Sequence, residues 1–375
     1  MISSLEYGGA ERQVVEMFRT FDRSRIRPII CSLSDDIPLA DQLDEHREDV
    51  HIVPRRWRFD FTTVFRLARL LRQERVDVVH AFLFDAEIIT RLAAPLAGRP
   101  LVIASERNAD YTRRRLHECA LRLTRPLVDA VVANSFAGKK FTLRTTGFTE
   151  SQVHVIHNGV DTLRFHPDCE AGATFRRRHG ISADTLVVGM VGNYKRQKGH
   201  DVFLRMSAKV ASRVDETVFL IAGSPTGGRL ALSLTYQKEI EALAAQLGLR
   251  DRCHFIEAEE DMLGFYNACN VTVLLSRREG TPNVLLESMA CGIPVVATAI
   301  ADNALIVSET DPAGAIVPID DFSKAAGAVT SLLHSSERRR AAGIIARRRA
   351  CGFSVNRAAH QLEQLYLRAL RELRR

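Results

Sequence analysis

The chain has 375 residues, 46% of them hydrophobic, and a net charge of +7, enough length to bury a large core and to split into two domains. It has no run of eighteen or more uncharged apolar residues and no secretory leader, and its seven scattered cysteines make no Cys-x-x-Cys pair. A cytoplasmic protein with reduced, mostly buried thiols is therefore expected. The basic excess suits an anionic substrate or an anionic membrane, whereas nucleic acid is not an expected partner, because no helix-turn-helix, zinc-finger or RNA-binding signature accompanies it.

Short apolar runs alternate with amphipathic stretches, the pattern of parallel sheets with helices on both faces. Strands are predicted at 26–33, 50–53, 76–80, 101–105, 130–134 and 153–156. Helices are predicted between them at 10–21, 61–75, 85–96, 113–128 and 136–146. Further on, strands at 186–192, 218–222, 253–256, 271–275, 294–297 and 315–317 alternate with helices at 203–213, 236–247, 262–268, 284–290, 321–333 and 336–350. Two doubly wound α/β domains in series, joined within 158–177, are the simplest assembly. An amphipathic helix over 354–373 closes the chain.

The most informative stretch is SRREGTPNVLLESMACGIPVVAT, residues 276–298, in which Glu279 and Glu287 flank seven residues that begin Gly280-Thr281-Pro282-Asn283. Thr281 is expected to cap a helix with Pro282 at its first position. Val284 to Ala290 continue that helix, Cys291-Gly292 end it, and a buried strand follows. One carboxylate then lies on the loop before the helix and the other about two turns inside it. Between them the free N–H groups and the positive end of the helix form an anion site. Carboxylates accept bonds from vicinal sugar hydroxyls, so a ligand with a sugar at each end and a diphosphate in the middle satisfies both features.

This stretch resembles the Glu, seven residues, Glu signature of retaining glycosyltransferases of family 4, also called group 1, which adopt the GT-B fold. The resemblance implies two Rossmann-like domains facing across a cleft. The first, over 1–165, would bind the acceptor; the second, over 166–353, would bind a nucleotide-sugar donor; a helix over 354–375 would cross back to the first. Family members open with a buried strand of five or six residues, and Met1-Ile2-Ser3-Ser4-Leu5 offers only its end. The first strand is therefore expected to be shortened or to start upstream of Met1, the second being favoured, since losing part of a central strand exposes apolar neighbours and unpaired ladder groups.

By the same resemblance, Gly8-Gly9-Ala10-Glu11 matches a glycine-pair loop, with Gly8 and Gly9 near the donor phosphates and Gly9 also near the acceptor. Lys198 matches the lysine that clamps the donor diphosphate. Asn193 stands where the family's arginine is usual, so Lys195 or Arg196 would supply the missing charge. Gly223, in Gly223-Ser224-Pro225, matches a donor loop whose second glycine is displaced. Asn158-Gly159-Val160-Asp161, with Phe165 and Pro167, matches an interdomain linker of structural role: Gly159 for a tight turn, Asp161 for a local cap. At strand ends of the first domain, His80 is expected to touch acceptor or donor, and Arg107 an anionic group such as an acceptor phosphate.

Arg55-Arg56-Trp57-Arg58-Phe59 with Arg66, Arg69, Arg72 and Arg75, and a second run Arg113-Arg114-Arg115, form basic faces suited to solvent or to anionic lipid on the inner side of a membrane. No pattern for a metal site is present and no cofactor is expected. The implied activity is retaining transfer of a hexose-type sugar from a UDP- or GDP-linked donor to a hydroxyl of a glycan or lipid-linked acceptor. In it Glu287 would bind ribose, Glu279 the transferred sugar, and the backbone of Gly280, Thr281, Pro282, Asn283 and Val284, with Lys198, the diphosphate. Lys198, Glu279 and His80 are the expected catalytic residues. A non-catalytic nucleotide-sugar-binding partner in a polysaccharide assembly complex, or a nucleotide-sugar epimerase, are the alternatives.

Overall fold

A computed structural model describes residues 1–57, 60–108, 115–225, 230–257, 261–307 and 310–373. The chain divides into two compact units, Met1–Gly159 with Val355–Arg375, and Val160–Ser354. Val160 and Phe165 pack into the core of the second unit, and the Val160 N–H donates to the Phe353 carbonyl at 2.9 Å. Packing thus ends the first unit at Gly159, six residues before the sequence-based limit at 165.

The first unit contains α1 (Gly9–Thr20), β1 (Ile30–Ser32), β2 (Val50–Ile52), α2 (Thr62–Gln73), β3 (Val78–Phe82), α3 (Phe84–Ala93), β4 (Leu101–Glu106), α4 (Arg115–Leu123), β5 (Ala130–Ala133), α5 (Phe136–Thr146) and β6 (Val153–Val155). Pairing is parallel, β1 with β2 and then β3, β4, β5 and β6 in that order. Every residue of β4 is buried, as a continuous apolar run in a parallel sheet requires. Ile2 joins the two groups of strands, bridging in parallel to Ser32 and to Phe82. The strand expected over 26–33 shrinks to three residues. Pro28 has no N–H to give a ladder, and β2 offers only three partners.

The second unit contains α6 (Cys169–Arg178), β7 (Leu186–Val191), α7 (His200–Ala211), β8 (Thr217–Ala222), α8 (Leu230–Gln246), β9 (Cys253–Ile256), α9 (Met262–Ala268), β10 (Val271–Leu274), α10 (Asn283–Ala290), β11 (Val295–Thr298), α11 (Asn303–Val307), β12 (Gly314–Val317), α12 (Phe322–Leu333) and α13 (Ser336–Cys351). Its six strands are all parallel, in the order β12-β11-β10-β7-β8-β9. The winding direction reverses between β7 and β10. In an open α/β sheet the loops leaving two such strands splay apart and form a crevice. Phe175, Phe265, Leu286 and Met289 pack on one face of the sheet, Phe203, Met206, Ile240 and Val329 on the other. The unit is therefore doubly wound, as expected.

Helix α6 was not expected, because CEAGATFRRR buries only Gly172 and Phe175. Contacts distant in sequence hold it: Arg176 donates to the carbonyls of Ala268 and Thr185, and Asp168 caps its start. All seven cysteines are free; Cys31, Cys253, Cys269 and Cys291 are buried, while Cys119, Cys169 and Cys351 are exposed. Burial pushes the Cys31 thiol up to about 11.

The last helix, α14 (Val355–Leu373), belongs to the first unit, where Leu362, Leu365 and Tyr366 join Ile2, Val14 and Phe18 in one cluster. A histidine fastens each unit from within. His80 bonds Tyr366 Oη through Nδ1 at 2.7 Å and Ser105 Oγ through Nε2 at 2.9 Å, tying β3 to β4 and α14. His200 bonds the Gly192 carbonyl through Nε2 at 3.0 Å and stacks on Tyr194. Burial holds His80 well below its ordinary pKa and lowers His200 from 6.5 to about 4.

Both imidazoles are neutral in the fold and take up protons when it opens. The stability they confer is complete above pH 6.5 and is lost as pH falls below it, for His200 down to about 4. His200 alone accounts for about 3 kcal/mol of that loss. The thermal midpoint should therefore drop steeply between pH 6.5 and 4, and His200→Gln, which can still donate to Gly192, should flatten the drop. An equal slope in both proteins would contradict the assignment.

Candidate functional site

The segment after β10 begins with buried Ser276 and carries buried Glu279, Gly280, Thr281 and Pro282 into α10. Pro282 is the residue before the helix, in extended conformation with no side-chain cap, and Asn283 is the first helical residue. This corrects the expectation of Thr281 as cap and Pro282 as first helical residue. Glu287 consequently lies just over one turn inside the helix rather than two. The first turn of α10, around Asn283 and Val284, presents backbone N–H groups that the helix cannot satisfy internally.

Glu279 and Glu287 are both buried, at 8% and 7% exposure. Glu279 Oε1 accepts a bond from Lys198 Nζ at 2.7 Å, and Glu287 Oε2 accepts one from Tyr266 Oη at 2.7 Å. The remaining oxygen of each carboxylate accepts nothing from the described residues. Two acids are thus held by one oxygen each, with the helix start between them. Tyr266 is a site residue that sequence reasoning missed; its signal was a tyrosine within an apolar helix, because a buried phenol needs a partner.

The segment after β7 turns through a 3₁₀ helix, Arg196–Lys198, into α7. Gly199 has φ +74°, and a Cβ there would lie 2.1 Å from the Leu275 carbonyl oxygen. Only glycine lets the Lys198 turn press against the end of β10. Asn193 accepts a bond at its carbonyl from the Lys195 N–H at 2.7 Å. Of the two residues expected to replace the family's arginine, Arg196 turns away. Its guanidinium pairs with Glu239 at 2.6 Å and lies over the Tyr236 ring at 4.9 Å. Lys195 is exposed and has no ion-pair partner among the described residues. Gly223 serves close packing, since a Cβ there would lie 2.2 Å from the Gly192 carbonyl oxygen.

In the first unit Gly8 precedes α1 in extended conformation and Gly9 opens the helix, exposed. Gln13, one turn on and buried, exchanges two bonds with the backbone of Gly159, at 2.7 and 2.9 Å. Gly159 is held by that amide clamp, and Asp161 caps the N–H groups of Leu163 and Arg164 at 2.9 and 3.0 Å. Arg107 donates to Asn158 Oδ1 at 2.6 Å and lies over the Phe82 ring at 5.6 Å. Burial lowers its pKa to about 10. His80 has both ring nitrogens engaged, by Ser105 and Tyr366, so no ring atom is left for a ligand without breaking one of those bonds. In this arrangement His80 holds β3 to β4 and to α14.

The sequence matches the family "Glycosyl transferases group 1" over residues 173–349 and "Glycosyltransferase Family 4" over residues 7–164. Among curated relatives, a D-inositol 3-phosphate glycosyltransferase from Salinispora arenicola is 30% identical, over 77% of this chain and 68% of its own length. One of the same name from Acidothermus cellulolyticus is 30% identical over 73% of this chain, and the matched part spans 63% of that relative. A lipopolysaccharide core biosynthesis mannosyltransferase from Rhizobium meliloti is 29% identical over 64% of this chain and 65% of its own length. The fold is similar to that of Anabaena HepE, solved in complex with UDP (TM-score 0.83, 20% identity, 97% of each chain). It is also similar to that of a glycosyltransferase from Rickettsia africae (TM-score 0.84, 17% identity, 98% of this chain and 97% of that one). The paired acids after β10 and the lysine after β7 sit in the region matched to the first family, and the chain belongs to the group 1, family 4 glycosyltransferases of GT-B fold.

Proposed function

We propose that the protein transfers a hexose-type sugar, with retention of configuration, from a nucleoside-diphosphate donor held by the second unit. One observation carries the reading. Lys198 and Glu279 meet at the carboxyl ends of two neighbouring strands, beside the start of α10, and Glu287 lies one turn further in. A donor diphosphate would draw the Lys198 ammonium away from Glu279, leaving that carboxylate to accept a hydroxyl of the transferred sugar. Glu287, oriented by Tyr266, would accept the ribose hydroxyls through its unoccupied oxygen. Lys198 and the N–H groups at the start of α10 would then stabilise the departing nucleoside diphosphate while the acceptor attacks on the same face. Lys195, exposed on the same loop, would add charge.

The acceptor is proposed to be a glycan or a lipid-linked hydroxyl compound carrying an anionic group. The half-buried Arg107 guanidinium supports an anion in the first unit, and two of the relatives above act, by name, on an inositol phosphate. Charge-assisted bonds contribute about 1.5–3 kcal/mol each. Lys198→Ala should therefore lower kcat/KM for the donor by about 10- to 100-fold. Glu287→Ala should raise the dissociation constant of UDP or GDP, and Tyr266→Phe should raise it less. Isothermal titration and initial rates of sugar transfer check these expectations; unchanged constants in Lys198→Ala and Glu287→Ala together would remove the site assignment.

Contact with the inner face of an anionic membrane is proposed as a second property, and the side chains along α2 favour it. Trp57, Phe61 and Phe65 are exposed by 57%, 69% and 64%. Arg69 and Arg72 continue the stripe, exposed. Arg66 and Arg55 are taken by Asp60 and Asp85 and do not contribute. Arg58, Phe59, Arg113 and Arg114 lie outside the described residues, among which no helix is long and apolar enough to cross a membrane. The protein should sediment with phosphatidylglycerol-containing vesicles and not with phosphatidylcholine alone. Arg69→Gln/Arg72→Gln should weaken this about 30-fold, at roughly 1 kcal/mol per charge, and Phe61→Ser/Phe65→Ser should abolish what salt does not. Equal binding to both vesicle types would exclude it.

A further inference from the structure

We propose that Arg277 is a positioning residue of the donor site: it fastens the turn that carries Lys198 to the segment that carries Glu279, and so sets where the Lys198 ammonium can reach. The proposal rests on the donor-site reading above. The Lys198 turn is a single 3₁₀ turn, closed internally by the Lys198 N–H to the Lys195 carbonyl at 2.8 Å. One such turn does not hold a flexible lysine in place by itself. Arg277, two residues before Glu279, supplies the missing restraint from the neighbouring strand end. Its backbone N–H donates to the Gln197 carbonyl at 2.7 Å, and its Nη1 donates to the Arg196 carbonyl at 2.6 Å. Both carbonyls of the turn preceding Lys198 are thereby pinned.

The guanidinium is held in turn by two acids. Nη1 and Nη2 reach Asp201 Oδ1 and Oδ2 at 3.1 and 2.7 Å, a two-point bond to the first turn of α7, and Nε reaches Asp320 Oδ1 at 2.7 Å. These carboxylates raise the Arg277 pKa further and cancel its charge, so Arg277 brings no positive charge of its own to a diphosphate. An exposed ion pair adds little to stability. What this arrangement offers is direction: a planar fork with donors on three sides bridges a carbonyl and two carboxylates at once, which a lysine ammonium on a flexible stem does not.

Arg277→Lys keeps the charge and removes the fork. It should lower the kcat of donor turnover about tenfold while the donor KM, set largely by Glu287, changes less than about twofold, with an unchanged circular dichroism spectrum. The probe is release of free nucleoside diphosphate from whichever of UDP-glucose, UDP-N-acetylglucosamine or GDP-mannose the wild-type protein turns over fastest. In a Lys198→Ala background Arg277→Lys should have no further effect, because it acts through that ammonium. Asp320→Asn, at an exposed partner, gives a milder version of the same change should Arg277→Lys fold poorly. Normal turnover in Lys198→Ala would refute the donor-site reading itself. Slow Lys198→Ala combined with normal Arg277→Lys, or with effects that multiply in the double variant, would refute only the role of Arg277.

Discussion

The contact between the Lys198 ammonium and the Glu279 carboxylate organises the second unit. The two side chains are 81 positions apart in sequence and meet because β7 and β10 are hydrogen-bonded neighbours at the place where the winding of the sheet reverses. Parallel pairing brings both carboxyl ends to one edge, and Gly199 lets the following turn press onto the Leu275 carbonyl. A side chain at position 199 would push the lysine away from the acid. The site is thus a consequence of sheet order, and the residues nearby adjust to it.

Charge at this edge is more sparing than the many basic residues around it imply. Arg196 is drawn off by Glu239, and Arg277 is neutralised by Asp201 and Asp320. The cation that faces Glu279 is Lys198, with the start of α10 beside it. Pairing Lys198 with an acid limits the cost of burying either charge alone. It also leaves the lysine an exchange of partners that costs little when a second anion arrives. The same economy holds for Glu287, where one oxygen is fixed by Tyr266 and the other stays open.

The first unit is built around polar ties at buried and half-buried positions: Gln13 to the Gly159 backbone, Arg107 to Asn158, and His80 between Ser105 and Tyr366. Each satisfies a group that would otherwise be buried without a partner. Neutral imidazole suits these positions because either ring nitrogen can donate or accept without placing a charge in the core. Acid therefore weakens both units by one mechanism. The exposed aromatics at and before the start of α2, Trp57, Phe61 and Phe65, belong to the opposite kind of surface, where apolar side chains face solvent.

The chain's alternation of apolar runs and amphipathic stretches was sufficient for the α/β class, for the strands and for most helices, because period and burial are local properties of a sequence. The Glu279–Glu287 spacing was equally legible, since both acids and the helix start between them lie within one short segment. What was not legible depended on contacts distant in the chain. Helix α6 is held by Arg176 on carbonyls of other elements; Tyr266 reaches Glu287 from another helix; Arg196 finds Glu239; and His80 meets a tyrosine 286 residues later. From sequence alone a histidine at a strand end is as ready to touch a ligand as to hold a neighbour. Tertiary structure supplies the neighbours, because only packing determines which partner occupies each polar atom once water is excluded.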